Sequence, residues 1–258
     1  MLYPIQVGTA LADKRFPGFL YDNEGENISR KNRSYCELTA QYWAWKNVDA
    51  EYYGFFHYRR FLYPDTKEKL PYRIEKTPSK SLLSKLKFDS LSHLVEQYDV
   101  IIPVGENMHI SVREHYATAP YHHGEDIELV EKIVCEMYPE MSDAVKSYLN
   151  GTICYFGNIY IMKRDAFFAY CAWLFSIMDE YDRRKDNSDY TAQELRVNGY
   201  LAERLFGIWL THVREKLCVG ELPRVHFMSS STEYIKNKLI NMMLPPGSVI
   251  RSAVKSLM

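Results

Sequence analysis

Apolar residues fall along this chain in two rhythms, short consecutive runs and longer stretches with an apolar side chain every three or four positions. The run at 4–8 predicts a short strand opening into a Pro/Gly/Asp/Asn-rich loop at 16–27. Asn27 or Ser29 can cap a helix over 30–47, where Leu38, Tyr42 and Trp45 recur at helical spacing. Residues 52–60 read as an apolar strand that runs abruptly into cations. A polar stretch at 63–80 reads as a loop, followed by a helix over 81–97 and a buried strand at 100–103. A loop bearing His109, His115, His122 and His123 precedes helices over 124–138 and 141–150. A strand at 155–162 feeds a long helix over 164–183, and a last core helix covers 197–216. Strands alternating with helices predict an α/β sandwich with few strands.

The tail has another pattern. Ile235, Leu239, Met242 and Met243 are interspersed with Lys236 and Lys238, and Pro245 and Pro246 end the helix. Val249, Ile250, Val254 and Leu257 then share a segment with Arg251 and Lys255. Such a piece can lie on an anionic membrane or pack on the domain, and the pattern leaves both open. The expected division is a domain over 1–230 and an amphipathic extension over 231–258.

Composition narrows the class. The 258 residues suit one α/β domain with an appendage, and a formal net charge of −1 supplies no field for nucleic acid. Tyr, Phe and Trp number 21, 12 and 4, which suits sugar stacking as well as a core. The 5 Cys contain no Cys-x-x-Cys spacing, so neither a disulfide framework nor a zinc knuckle is expected. The N-terminus has no basic segment followed by an apolar one, and no stretch reaches the ~18 apolar residues that span a bilayer. The expectation is a cytoplasmic protein.

The strongest chemical signal is His57-Tyr-Arg-Arg60 at a strand end, where open α/β sheets bind ligands. Guanidinium forks pair bidentately with phosphate oxygens, so Arg59 and Arg60 suit a diphosphate. The opposite reading is that the two point to opposite faces and one is merely solvated. No Asp-x-Asp occurs in the chain to hold a divalent ion, and Asp126 and Glu128 are spaced wrongly on a helix to chelate one. The expected chemistry is therefore metal-free, with cations stabilising a leaving nucleoside diphosphate. No zinc-type His spacing appears, so His122 and His123 read either as sugar contacts or as loop histidines. Gly157 and Asn158 allow close approach of a substrate or mark a bulge. Glu203, beside Arg204, is either a general base for an acceptor hydroxyl or half of a structural ion pair.

An ordered set of segments resembles a bacterial domain family abundant in capsule, exopolysaccharide and O-antigen gene clusters. These segments are Pro4-Ile-Gln-Val-Gly8, Asn27-Ile-Ser-Arg-Lys-Asn32, Tyr35-Cys-Glu-Leu-Thr39 and Tyr42-Trp-Ala-Trp-Lys-Asn47. Gly54-Phe-Phe-His-Tyr-Arg-Arg60, Gly157-Asn-Ile-Tyr-Ile-Met-Lys163, Tyr170-Cys-Ala-Trp-Leu-Phe175 and Gly199-Tyr-Leu-Ala-Glu-Arg-Leu205 continue it. Together they cover most of 4–210. The resemblance implies a GT-A-like α/β fold, a mixed sheet flanked by helices with a C-terminal helical extension. It also implies glycosyl transfer from a UDP-sugar, galactofuranose in some members, to a growing lipid-linked glycan, while the amphipathic tail, on its membrane reading, would make the protein peripheral on the inner face of the plasma membrane. His57 to Arg60 then stand where the metal motif of GT-A enzymes normally stands.

On this reading Tyr58, Arg59, Arg60, Lys31, Asn32, Asp22, Asn158 and Arg204 bind the donor. Glu203 is the base with Asp22 in reserve, His57 assists the leaving group, and His122 and His123 face the acceptor. Members of the family often carry a further strand ending in a Thr-His-Lys-like turn before the segment matching residues 3–6. This chain begins after that point, which bears on how it holds the donor base. Two rivals are a phosphotransferase or nucleotidyltransferase using the same cations, and a donor-deficient carbohydrate-binding subunit.

Overall fold

The structure, a computed structural model, describes residues 2–64, 70–77, 80, 88–245 and 248–251. In chain order the strands are β1 (Ile5–Gln6), β2 (Leu20–Tyr21), β3 (Tyr52–Phe55), β4 (Arg60–Leu62), β5 (Tyr72–Glu75) and β6 (Val100–Pro103). They continue with β7 (Glu106–Asn107), β8 (Ile153–Cys154), β9 (Tyr160–Lys163), β10 (Val219–Leu222) and β11 (Arg224–Phe227). The helices are α1 (Asn32–Tyr35), α2 (Leu38–Asn47), α3 (Phe88–Val95), α4 (Val112–Thr118) and α5 (Gly124–Met137). Next come α6 (Ser142–Asn150), α7 (Arg164–Arg184), α8 (Val197–Val213) and α9 (Ser231–Met243).

The main sheet has the order β10-β6-β9-β3, with β10 parallel to β6 and β9 antiparallel to both its neighbours. Its strands alternate in what they bury. Val100, Ile102, Tyr160 and Met162 enter the large core shared with α5, α6, α7 and α8, while Ile101 and Ile161 enter a smaller core with Leu62 and Leu222. A sheet covered on both faces explains why 100–103 is apolar throughout. A second sheet, β4-β11-β5, has β11 antiparallel to β4 and parallel to β5. The mixed α/β fold expected from the sequence, a sheet flanked by helices, is the one found.

Several local expectations need correcting. The helix over 30–47 is interrupted: a 3₁₀ turn and α1 end at Cys36, whose φ of 50 lies in the left-handed region, and α2 starts afresh. The apolar strand read through residue 60 stops at Phe55, and the chain reverses at Tyr58 and Arg59. The loop at 63–80 contains β5, because its backbone pairs with β11, far away in sequence. The histidine loop contains α4, capped by Ser111, whose Oγ accepts from Glu114 N at 3.1 Å. Residues 65–69, 78–79 and most of the first half of the helix expected over 81–97 lie outside the described residues, as do 252–258. The two strands at 219–227 have no counterpart in the sequence reading. Among the described residues no helix is long and apolar enough to cross a membrane.

Candidate active site

The end of β3 does not run straight into its cations. His57 N donates to Arg60 O and Arg60 N to His57 O, both at 3.0 Å, closing a tight reversal with Tyr58 and Arg59 at its tip. The reversal feeds β4, where Arg60 sits opposite His226 of β11. Arg59 donates to Ser229 Oγ and lies 5.1 Å from the Tyr58 ring centroid. Among the described residues no carboxylate pairs with Arg60.

This hairpin lies in the wall between two lobes of one cleft, of about 610 and 630 Å³. Cys36, Glu37, His57, Tyr58, Gly157 and Arg196 line both lobes. The first lobe is completed largely by apolar side chains, among them Ile5, Val7, Ala40, Phe55 and Leu195. The second is charged and aromatic. Arg59, Arg60, Arg204 and Arg224 face it together with Glu106, Glu203, His115, His122, His226, Tyr72 and Tyr200. Helix α8 comes this close to Cys36 because residue 199 is glycine: a Cβ there would stand 3.1 Å from the Cys36 sulfur.

Two carboxylates meet at the junction. Gly157 and Asn158, with φ of 95 and 49, form a left-handed turn before β9. Gly157 N–H donates to Glu203 Oε1, and Asn158 Nδ2 donates to Glu37 Oε1 at 2.7 Å. Glu203 also pairs with buried Arg204 at 3.1 Å, and the same guanidinium reaches His115 Nδ1 at 3.2 Å. Both oxygens of Glu203 are thus engaged. Burial raises the Glu37 carboxyl above its ordinary range, with the charge of Glu203 adding to the effect and Asn158 opposing it.

Burial, reinforced by nearby guanidinium groups, lowers three histidines of the cleft. Burial first, then Arg60, Arg59 and Arg196, lower His57 to about 4. His226 is lowered to about 2 by burial and by Arg224, and its ring stacks on Tyr72 at 4.5 Å. Arg224 is buried, held by Glu106 and by Phe156 O at 3.2 Å. His122 stacks on Tyr200 at 4.1 Å, donates from Nδ1 to Pro120 O at 2.8 Å, and is lowered by burial to about 4.

The structure brings together His57, Tyr58, Arg59, Arg60, Asn158, Glu203, Arg204 and His122 from the sequence reading, and Asn32 lines the first lobe. Three other residues lie elsewhere. Asp22 is fully buried, its carboxylate accepting from Gly8 N, Thr9 N, Ser29 Oγ and Thr39 Oγ1 at 2.6–2.9 Å, so it braces the turn after β1 and has no face toward the cleft. Lys31 pairs with Asp179 and Asp182 of α7 at 3.2 and 3.0 Å. His123 lies 3.2 Å from Glu194 and stacks on Tyr190 outside both lobes.

Sequence reasoning missed Glu37, Arg196, Arg224 and His226. Glu37 stands in the family-like segment 35–39, beside the residue that breaks the helix. The others bear no local mark, because distant pairings deliver them.

The reversal presents two cations and an imidazole, Arg59, Arg60 and His57, to a lobe that Glu37, Glu106 and Glu203 also line. Among the described residues, no three His, Cys, Asp or Glu side chains converge as metal ligands.

Comparison with known proteins agrees with this architecture. Residues 1–215 match the family described as "Domain of unknown function (DUF4422)". The solved apo structure of WbbM, a bifunctional glycosyltransferase, superposes with a TM-score of 0.83 at 34% identity, over 88% of this chain and 42% of that one. The chain therefore spans less than half the length of that protein. No curated protein matches.

Proposed function

The chain belongs to the DUF4422 family, and on that footing we propose that it is a glycosyltransferase using a nucleotide-sugar donor and a glycan acceptor. In this reading the nucleoside occupies the apolar first lobe, and the diphosphate crosses the shared wall between Arg196 and the Arg59–Arg60 reversal. The sugar and acceptor occupy the second lobe. The acceptor oxygen bonds to the anomeric carbon with inversion as the bond to the diphosphate oxygen breaks. Arg59, Arg60 and Arg196 take up the charge that develops on the leaving group, the part a metal plays in other GT-A enzymes. Neutral His57 can donate a hydrogen bond to it.

The acceptor proton passes to a carboxylate at the junction. Glu37 fits that task better than Glu203, because Glu203 is neutralised by Arg204 and bonded at both oxygens. A base near the operating pH is the efficient one, and burial moves Glu37 in that direction. The resemblance in the sequence favours UDP, with galactofuranose as the transferred sugar. It also favours a lipid-linked glycan of surface-polysaccharide synthesis as acceptor, at the inner face of the membrane.

The observation that carries this reading is the cationic wall standing beside two carboxylates between an apolar lobe and a polar one. Thermal-shift binding of UDP and a panel of nucleotide-sugars, with Mn²⁺ and then with EDTA, tests it. A ligand that binds only the folded state raises the melting temperature once it exceeds Kd. A UDP-specific shift that survives EDTA is expected. A shift that needs Mn²⁺ would overturn the cation-for-metal assignment, and no shift with any nucleotide would leave a glycan-binding protein without a donor site.

A further inference from the structure

Helix α9 follows β11 and is fastened at its start by a reciprocal cap. Ser230 Oγ accepts from Glu233 N at 3.1 Å, and Glu233 Oε2 accepts from Ser229 N at 2.7 Å. The helix then presents its apolar side outward. Ile235, Leu239, Met242 and Met243 recur at one-face spacing and are 58%, 52%, 75% and 72% exposed. Its inward side is half-buried and largely polar, with Glu233, Asn237 and Asn241 beside Tyr234 and Ile240. A surface helix of a globular protein normally does the reverse.

The stripe has company. At 100° per residue, exposed Lys236 and Lys238 stand on its two opposite flanks. Past the break at Pro245, Val249 and Ile250 are each 65% exposed, next to Arg251, which is anchored to Asn241 Oδ1 and Leu244 O. A contiguous exposed apolar face rimmed by polar groups marks a docking surface. Its charge says what docks. The acid of this helix, Glu233, is turned inward, so a second copy would bring lysines against lysines. An anionic surface offers complementary charge on both flanks and accepts the apolar stripe between them.

We propose that this face of α9, with Val249 and Ile250, docks on an anionic lipid bilayer. The apolar stripe enters the headgroup boundary, and the lysine stems lie along it with their ammonium groups at lipid phosphates. The surface adjoins the second lobe, since Arg59 donates to Ser229 and Met228 N donates to Glu75 O at 2.9 Å at the root of the helix. Docking there sets the polar lobe of the cleft beside the membrane.

Flotation of the full chain with vesicles tests this without any donor, so its outcome is independent of the glycosyltransferase reading. Vesicles of phosphatidylcholine plus phosphatidylglycerol should carry at least ~10-fold more protein than phosphatidylcholine alone, with the excess lost at high salt. Leu239→Asp with Met242→Asp should abolish flotation, and Lys236→Glu with Lys238→Glu should abolish the preference for anionic lipid. All four substituted positions are exposed, so both variants should keep the wild-type circular dichroism and melting temperature. Wild-type protein that stays off both vesicles, or variants that float as well as wild type, would overturn the proposal. A dimer in solution that Leu239→Asp with Met242→Asp dissociates would assign the face to a second copy instead.

Discussion

Glu37 and Glu203 are fastened by consecutive residues of one left-handed turn, Asn158 to the first and Gly157 to the second. They are not equivalent. Glu203 is locked by a backbone amide and a buried guanidinium, whereas Glu37 is bonded by the Asn158 amide and its own backbone N–H, and its acidity is weakened by burial. Glu37→Gln should therefore lower kcat ~10²–10⁴-fold, the usual contribution of a general base, while the thermal shift with UDP persists. In the wild type, a raised carboxyl must lose its proton before it can act. The acid limb of kcat/KM should accordingly lie above the ordinary carboxylate range and vanish in Glu37→Gln. A variant with full turnover would remove Glu37 from the chemistry.

Removing the other carboxylate should first damage the fold. Arg204 is 1% exposed, and Glu203→Ala would leave its charge without the pairing carboxylate. An uncompensated buried charge costs ~3–5 kcal/mol, to be read as a lower midpoint in urea. Glu203→Ala together with Arg204→Met removes both charges and should recover much of that loss. Equal midpoints for the single variant and wild type would show that the pair is solvated.

The cationic wall should act on the donor and leave folding intact. Arg60 has no carboxylate partner among the described residues, so Arg60→Ala breaks no ion pair among them. Weakened UDP binding by at least ~10-fold, about 1.4 kcal/mol, is expected from calorimetric titration, with an unchanged melting temperature. Arg59→Ala with Arg60→Ala should abolish transfer. Unchanged transfer would eliminate the leaving-group role.

Mild acid should destabilise the protein through its buried histidines. His57 and His122 are lowered from 6.5 to about 4 in the fold, with burial the main cause. Between about 6.5 and 4 the unfolded chain therefore binds more protons than the folded one, and stability falls as pH falls through that window. The melting temperature should drop across it, and His122→Gln should flatten part of the slope. Identical slopes for wild type and variant would mean that His122 titrates normally in the fold.

The sequence by itself determined the elements whose signal is local. The apolar run of β6 and the helical rhythms of α5, α7 and α8 reflect burial of one strand or one helix face, and each is written in contiguous residues. It also marked the Arg59–Arg60 pair and showed the lack of an Asp-x-Asp, though the pair stands on a reversal past the end of β3. Tertiary structure alone decided which residues share the cleft. Arg60 meets His226 through the register of β4 on β11, and Glu37 meets Glu203 through a turn at 157–158. Asp22 looked available in a polar loop until the amides of Gly8 and Thr9 and two hydroxyls closed around it. The outward apolar face of α9 was equally silent, because a helical period fixes that one side is apolar but not which way that side faces. Periodicity is set by bonds a few residues apart, whereas convergence is set by strand pairings and packing between distant segments, which leave no periodic trace in the chain.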